Sequence, residues 1–306
     1  MSIVSTDRYR IIREQQSDDK GQTWVDTGNI YYSDVEKNSE YCGYIPSADF
    51  KATLYYNKYH SGDTIFTYDV PWNRSTVISN SEITGTTSIY YLRKIVLNEG
   101  LTAIDRFTFS SQGNTNNLEV IAPDSLRFIG ADAFNATDLK ETSVLFTPNL
   151  EEIGYGAFQT CDFGNNVNII FPDSLTFVGN DAFAYSRFNK LTYGSGLSAA
   201  TDFKGSYVKE VVFPEAIKTI GSDAFSGCTG LTSITFEGSS IRLLQNAFYG
   251  CSSLSTIRTY ASIDEIYQNS LGNIASRGTL YYSQNVNVNS WISALPSGWT
   301  TTLIPS

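Results

Sequence analysis

The 306-residue chain is poor in the side chains that most enzymes use, with one histidine, one methionine and four cysteines. Any Ser-His-Asp or Cys-His pair would need His60, which lies in a polar turn far in sequence from every cysteine. HExxH, P-loop and GxGxxG motifs are absent. Paired carboxylates stay an alternative, because a glycosidase needs only two of the 31 acids. The sequence predicts a non-enzyme without catalytic, cofactor-binding or metal-binding residues.

Basic residues and long apolar runs are also scarce. Lys and Arg number 21 against 31 acids, giving a net charge of -10. Nucleic acid is therefore not an expected partner, because binding phosphates needs a basic face. No apolar stretch reaches the roughly 18 residues of a membrane helix, so no membrane insertion is expected. The first residues become charged before any signal-peptide core could form, so export by that route is not expected.

Internal repetition is what the chain has in abundance. Its clearest copies are PDSLRFIGADAF from Pro123 and PEAIKTIGSDAF from Pro214. Each copy closes on an apolar residue, and the closing residues are spaced by 25, 24, 25, 20, 22, 23 and 23. A period of this size predicts a solenoid of stacked coils, an architecture that usually binds partners. The closing residues are Phe109, Phe134, Phe158, Phe183, Phe203, Phe225, Phe248 and Leu271.

Each copy opens with period-two alternation, as at Val120 and Ala122, which predicts a short strand. A glycine such as Gly130 then follows, where a tight bend is expected. Two residues before the closing position stands Asp or Asn, which we interpret as an N-cap of a short helical turn. A calcium ladder is the disfavoured alternative, because Phe107 and Gly156 occupy that slot in two copies. The acidic or amide residues are Asp132, Asp181, Asp223, Asn246 and Asn269.

Three of the four cysteines also follow the repeat. Each stands three residues after a closing phenylalanine, in a slot that Thr and Ser share, which predicts a small buried column. Because adjacent coils lie about 5 Å apart, a disulfide between Cys228 and Cys251 is an alternative, although free thiols are favoured. Cys42 is distant, and no CxxC pair indicates zinc. The slot holds Thr137, Cys161, Ser186, Cys228 and Cys251.

The phrase IGSDAFSGCTGLTSITF, from Ile220 to Phe236, resembles the BspA-like leucine-rich repeats of bacterial surface proteins. The resemblance covers residues 92–272 and implies adhesion or partner binding. The predicted fold is mainly β, a leucine-rich-repeat solenoid of about seven 20–25-residue coils. We predict an N-terminal β-rich module over 1–88, the solenoid over 89–272 and a cap over 273–306. The short copy around Phe203 is expected to be irregular.

The two ends lack the repeat and are expected to cap it. Residues 17–24 resemble the Asp-box of sialidase-like propellers, a structural hairpin, but one box leaves no room for a propeller. Residues 52–56 and 64–68 predict paired strands. Residues 51–83 loosely resemble a module that precedes such repeats in proteins of gut bacteria and phages. Downstream, Trp291 and Trp299 are expected to cover the last coil.

Strand residues that flank the inward pair must point outward and form two columns. Four β-branched apolar residues in one column are unusual on a free surface, although strand propensity alone could place them there. Both explanations stay open. The predicted binding face comprises Lys94, Glu119, Glu210, Val96, Ile121, Ile170, Val212, Thr235 and Arg258.

These patterns predict a non-enzymatic recognition protein that binds a host-surface glycan or protein, or neighbouring virion proteins. The absence of a signal peptide favours a phage virion appendage, with a secreted or cell-surface adhesin of a gut bacterium as the alternative. A glycan-active enzyme is a third, disfavoured alternative. Homo-oligomerisation is left open, and no cofactor is expected.

Overall fold

The computed structural model describes residues 10–17, 25–33, 50–56, 65–71, 76–84, 92–110, 117–141 and 143–305. Its first elements are β1 Arg10–Ser17, β2 Val25–Ser33, β3 Phe50–Tyr56, β4 Ile65–Pro71, β5 Val77–Ile78, α1 Asn80–Thr84, β6 Leu92–Leu97, β7 Ala103–Ile104, β8 Glu119–Ile121, β9 Phe128–Ile129, β10 Glu152–Ile153, β11 Asn168–Ile170 and β12 Phe177–Val178. The others are β13 Lys190–Thr192, β14 Ala199–Ala200, β15 Glu210–Phe213, β16 Thr219–Ile220, β17 Ser233–Phe236, β18 Ser240–Leu243, β19 Thr256–Thr259, β20 Ser262–Ile266, β21 Arg277–Tyr282, α2 Val288–Ala294 and β22 Gly298–Leu303.

Most coils contribute one strand to each of two sides, as in a leucine-rich-repeat solenoid. The long-strand side carries the sheets β2-β1-β4-β3-β6-β8 and β11-β13-β15-β17-β19-β21-β22. The short-strand side carries β12-β10-β9-β7-β5 and β14-β16-β18-β20. Strands of successive coils pair in parallel, as Val211 does with Ile234. The predicted mainly-β solenoid is confirmed.

A ladder of stacked phenylalanine rings runs through the interior and holds the coils together. Every closing residue predicted from the repeat is buried. Consecutive rings from Phe109 to Phe248 have centroids 4.9 to 5.4 Å apart and stack. Ile83 in α1 is also fully buried. It lies 26 residues before Phe109, the same offset that separates Val77 from its strand partner Ala103. The buried closing position is therefore already occupied one coil before Phe109, by an isoleucine.

Glycine follows the short strands β9, β10 and β12, and its cause differs from the predicted bend. Gly130, Gly154 and Gly179 are absent from the residues with positive φ. A Cβ atom at Gly130 would lie 2.6 Å from the Arg106 backbone nitrogen, and one at Gly179 would lie 2.5 Å from that of Tyr155. Glycine is thus required because the backbone of the preceding coil passes too close for any side chain.

The Asp and Asn residues that we interpreted as N-caps instead adopt left-handed backbone conformations. Asp132, Asp181 and Asp223 have φ of 53°, 57° and 56°, and Phe107 in the same slot has φ of 56°. The segments are turns, not helices. Asp and Asn are the non-glycine residues that best tolerate this region, so the N-cap interpretation was wrong. A second left-handed column follows two residues after the closing position and includes Ala136, Thr160 and Gly227.

The Cys, Ser and Thr slot forms the predicted buried column. Thr137 donates a hydrogen bond to the Phe109 carbonyl (2.7 Å), and Cys228 donates one to the Phe203 carbonyl (3.1 Å). Cys161, Cys228 and Cys251 are buried free thiols, whereas Cys42 lies outside the described residues. Burial raises the pKa of Cys161 well above its usual value, and Asp138 and Asp162 add to the rise. The column is structural, because its buried side chains donate hydrogen bonds to backbone carbonyls.

At the N-terminal end, β3 pairs antiparallel with β6 and extends the long-strand sheet. The predicted pairing of residues 52–56 with 64–68 is confirmed by β3 and β4. Lys51 is fully buried, donates to the Val77 carbonyl (2.8 Å) and forms an ion pair with Glu82 of α1. The Asp-box turn over 18–24 and His60 lie outside the described residues. The module boundary at residue 88 stays a prediction.

At the C-terminal end, two tryptophans cover the last coils as predicted. Trp291 of α2 is fully buried, packs 5.4 Å from the Phe236 ring and donates to the Ala261 carbonyl. Trp299 is partly buried and donates to the Ala275 carbonyl. Strands β21 and β22 continue the parallel long-strand sheet beyond the repeat.

The short copy around Phe203 is regular on the long-strand side, contrary to expectation. Strand β13 pairs with both β11 and β15, and Phe203 stacks on both neighbouring rings. Only the short-strand side breaks, between β12 and β14. The irregular coil on the long-strand side is the one that contains Val144, which joins Ile121 through an isolated bridge.

Candidate binding face on the long-strand sheet

The outer face of the long-strand side brings the nine predicted site residues into two rows across the strands. Strand register aligns Lys94 with Glu119 and Val96 with Ile121 in the first coils. The first row comprises Lys94, Glu119, Asn168, Lys190, Glu210, Ser233, Thr256, Thr279 and Thr300. The second row comprises Val96, Ile121, Val144, Ile170, Thr192, Val212, Thr235, Arg258, Tyr281 and Thr302.

The structure adds residues that sequence reasoning missed. Lys190 and Thr192 belong to the coil that we expected to be irregular, although their alternation with buried Leu191 was a usable signal. Val144 lies in a coil without a regular strand, so periodicity could not place it. Thr279 and Tyr281 were assigned to the cap, and only strand pairing reveals that they extend both rows.

In the first coils the glutamates of the first row form ion pairs with lysines. Lys94 and Lys140 lie 3.5 and 3.4 Å from Glu119, and Lys190 lies 3.4 Å from Glu210. These ion pairs are at the surface, so each contributes little to stability. Their consequence is electrostatic, because both glutamates of this half of the first row are paired with lysines.

Beside them, the second row exposes apolar side chains. Ile170 is 62% exposed and Val144 is 48% exposed, whereas Val96, Ile121 and Val212 are half-buried. The five residues follow one row of the face, with Thr192 between Ile170 and Val212, and we call them the apolar row. Contiguous apolar surface flanked by polar groups is typical of interaction sites.

In the later coils the same face carries mainly hydroxyl side chains, together with the cation of Arg258. Ser233, Thr256, Thr279 and Thr300 form adjacent positions of the first row. In the second row, the Arg258 guanidinium lies 5.2 Å from the centroid of the Tyr281 ring, within cation–π distance.

A groove of about 460 Å³ lies at the flank of the irregular coil, next to the first row, because its lining residue Lys140 pairs with Glu119. Burial raises the pKa of Asp138, and the charge of Asp162 raises it further while Arg187 opposes the rise. Among the described residues, no group of His, Cys, Asp and Glu is suited to holding a metal ion. The groove is lined by Asn117, Asp138, Leu139, Lys140, Glu141, Asp162 and Gly164.

The family model of the BspA-type leucine-rich repeat region matches residues 76–202 and 199–291 in six copies. The match covers more than half of the chain, so the chain belongs to this family, whose members are typically surface or adhesion proteins without enzymatic activity. In the part of the chain that the structure describes, no helix has the length and apolar character needed to cross a membrane.

Several solved structures similar to this chain come from bacteria. A leucine-rich repeat protein from Bacteroides ovatus is 14% identical, with 82% of this chain and 90% of that chain covered and a TM-score of 0.29. One from T. pallidum is 22% identical, covering 68% and 85%, with a TM-score of 0.33. A leucine-rich cell surface protein from Faecalibacterium prausnitzii is 14% identical, covering 67% and 84%, with a TM-score of 0.34. No curated protein matches significantly.

Proposed function

We propose that this chain is a recognition protein that binds a partner protein through the apolar row. The observation that carries the proposal is the exposure of Val144 and Ile170 in line with three half-buried β-branched residues. Strand propensity explains why β-branched residues occur in strands, but Val144 lies outside a regular strand and is apolar nonetheless. The row therefore favours burial against a partner.

The charged row beside it supports the same conclusion. Lys94, Glu119 and Lys140 form a group of ion pairs, which supplies polar groups at the edge of the apolar row. Protein interfaces typically combine an apolar centre with such a polar rim. The partner that fits is a protein with an exposed apolar patch at a cell or particle surface.

Two settings would present this face to such a partner, a phage virion and the surface of a gut bacterium. Antibodies against the chain distinguish them, because they would label purified virions in the first case and the cell-surface fraction in the second. Labelling of neither would contradict a role in surface recognition.

The binding proposal is tested with the fluorescently labelled full chain and a panel of gut bacterial cells. The double variant Val144→Asp with Ile170→Asp should bind a recognised cell type at least about tenfold more weakly, because two charges would be buried unpaired. Ile266→Asp is the matched control, since Ile266 is 40% exposed on the short-strand side. It should change affinity less than about twofold.

Equal binding of the double variant and the wild type would contradict the apolar row as the binding site. Melting curves followed by circular dichroism should agree for the wild type, the double variant and Ile266→Asp, because all three substituted residues are exposed.

A further inference from the structure

We infer that the later half of the long-strand face is a second site, which binds a carbohydrate carrying carboxylate or sulfate groups. Its residues, called here the hydroxyl patch, come from four adjacent strands, β17, β19, β21 and β22. They are Ser233, Thr235, Thr256, Arg258, Thr279, Tyr281, Thr300 and Thr302. The inference does not depend on the apolar row, which lies on earlier coils.

The first reason is a flat array of available hydroxyl groups. Neighbouring strands lie about 4.8 Å apart and alternate residues of a strand about 6.6 Å apart, so the two rows form a regular grid. Among the described residues, the hydroxyls of Ser233, Thr235 and Thr256 have no hydrogen-bond partner. Thr279 and Thr300 are 3.3 Å apart and bond to each other. Each free hydroxyl can both donate to and accept from a sugar.

The second reason is an uncompensated cation. Elsewhere on the long-strand face, Lys94 and Lys190 form ion pairs with glutamates. Arg258 has no acid within ion-pair distance in the described part of the chain, although the whole chain carries a net charge of -10. Its guanidinium is instead held over the Tyr281 ring at 5.2 Å. A planar guanidinium in a fixed position is suited to binding a carboxylate or sulfate through two hydrogen bonds.

A second arginine extends the patch along the strand direction. Arg277 begins β21, is exposed and lies two residues before Thr279 on the same side. It is four residues from Tyr281, about 13 Å along an extended strand. Arg258 and Arg277 therefore lie at opposite ends of the hydroxyl grid, a separation that fits successive charged sugars of an oligosaccharide.

The surroundings favour a carbohydrate over an acidic peptide. The patch exposes hydroxyl groups and a tyrosine ring but no aliphatic side chain. Strands β17, β19 and β21 are paired on both edges, so a partner strand could add only at β22. Glu237 follows β17, two residues beyond Thr235, and is exposed. Its carboxylate lies diagonal to Arg258, so it weakens rather than abolishes the attraction for an anion.

Isothermal titration calorimetry of the full chain in EDTA tests the inference with four probes. These are heparin-derived oligosaccharide, oligogalacturonate, dextran and poly-glutamate. At least one of the two anionic oligosaccharides should bind. Comparing heparin-derived oligosaccharide with oligogalacturonate distinguishes preference for sulfate from preference for carboxylate. Dextran and poly-glutamate should not bind. Binding of dextran with equal affinity would refute the role of charge. Equal binding of poly-glutamate would refute the carbohydrate assignment, and absence of binding by both oligosaccharides would refute the site.

Matched variants locate the site. Arg258→Gln should lower the affinity at least about tenfold, because it removes a charged hydrogen-bond donor. Glu237→Gln should raise it severalfold. Arg106→Gln makes the same charge change on an exposed residue of a distant turn and should alter affinity less than about twofold. Equal loss with Arg258→Gln and Arg106→Gln would overturn the proposed location. The double variant Val144→Asp with Ile170→Asp should bind the oligosaccharide with wild-type affinity, which separates this inference from the proposed function.

Discussion

The interior of the coil stack and the outer face of the same coils follow different rules. Inside, a slot holds side chains of similar size from coil to coil, as the ring ladder from Phe109 to Phe248 demonstrates. Outside, a single row passes from Ile121 and Ile170 to Thr235 and Arg258. Stacking therefore constrains the inner residues strictly, and the outer residues are free to vary.

This difference indicates where function can be sought in such a solenoid. Residues that recur in every coil contribute to stability, because each one contacts its counterpart in the neighbouring coils. Residues that change along a row reflect requirements other than stacking. The change from an apolar row to a hydroxyl patch is the largest such change on the long-strand face.

The sharpest test of the comparison removes one ring from each region. Phe225 is fully buried, and its ring stacks 5.2 Å from Phe203 and 5.4 Å from Phe248. Phe225→Ala should lower the free energy of unfolding by about 3–5 kcal/mol, because it leaves a cavity between two coils. Urea denaturation followed by circular dichroism measures the loss.

Phe177→Ala is the matched control on the surface. Phe177 is 53% exposed on the short-strand side. Its removal should change the free energy of unfolding by less than about 0.5 kcal/mol. Similar losses for the two variants would contradict the division between interior and surface.

Much of the interior could be predicted from the sequence, because the closing phenylalanines and the Cys, Ser and Thr column repeat at a fixed period. The turns could not. Asp and Asn favour both N-caps and left-handed turns, so Asp132 and Asp223 were compatible with either. The cause of the glycine at 130 was also hidden, since the backbone of a neighbouring coil is not visible in one copy of the repeat.

The outer face was predictable wherever alternation was regular, as at Val212 and Thr235. It was not predictable in two places. Val144 lies in a coil whose strand is interrupted, so no period-two signal marks it. Tyr281 follows the last recognised repeat, and its contact with Arg258 depends on the pairing of β19 with β21. Pairing across coils is information that a single strand does not contain.

A smaller change in the free energy of unfolding, this time an increase, is expected at an interior position that holds tyrosine in place of phenylalanine. Tyr193 occupies the inward slot that holds Phe171 and Phe213 in neighbouring coils, with ring centroids 5.4 and 5.6 Å away. Its buried hydroxyl has no hydrogen-bond partner, and burial raises its pKa well above the usual value. Tyr193→Phe should therefore raise the free energy of unfolding by about 1 kcal/mol.

The control is Tyr207→Phe, because Tyr207 is 53% exposed. Thermal melting should show a higher midpoint for Tyr193→Phe and an unchanged one for Tyr207→Phe. A lower midpoint for Tyr193→Phe would mean that its hydroxyl stabilises the fold, contrary to the assignment of this slot.

The smallest effect concerns the left-handed turn column, in which some coils carry glycine and others do not. Ala136 has φ of 55°, and Gly227 and Gly250 in the same slot have φ of 76°. Ala136→Gly should stabilise the chain by about 0.5 kcal/mol, because relief of the Cβ strain slightly exceeds the entropy that glycine adds to the unfolded state. Ala157→Gly is the matched control, since Ala157 is buried and absent from the positive-φ positions. Ala157→Gly should lower the free energy of unfolding by about 1 kcal/mol. Losses of equal size in urea denaturation would show that the turn column carries no strain, and that its glycines are there for a reason other than backbone conformation.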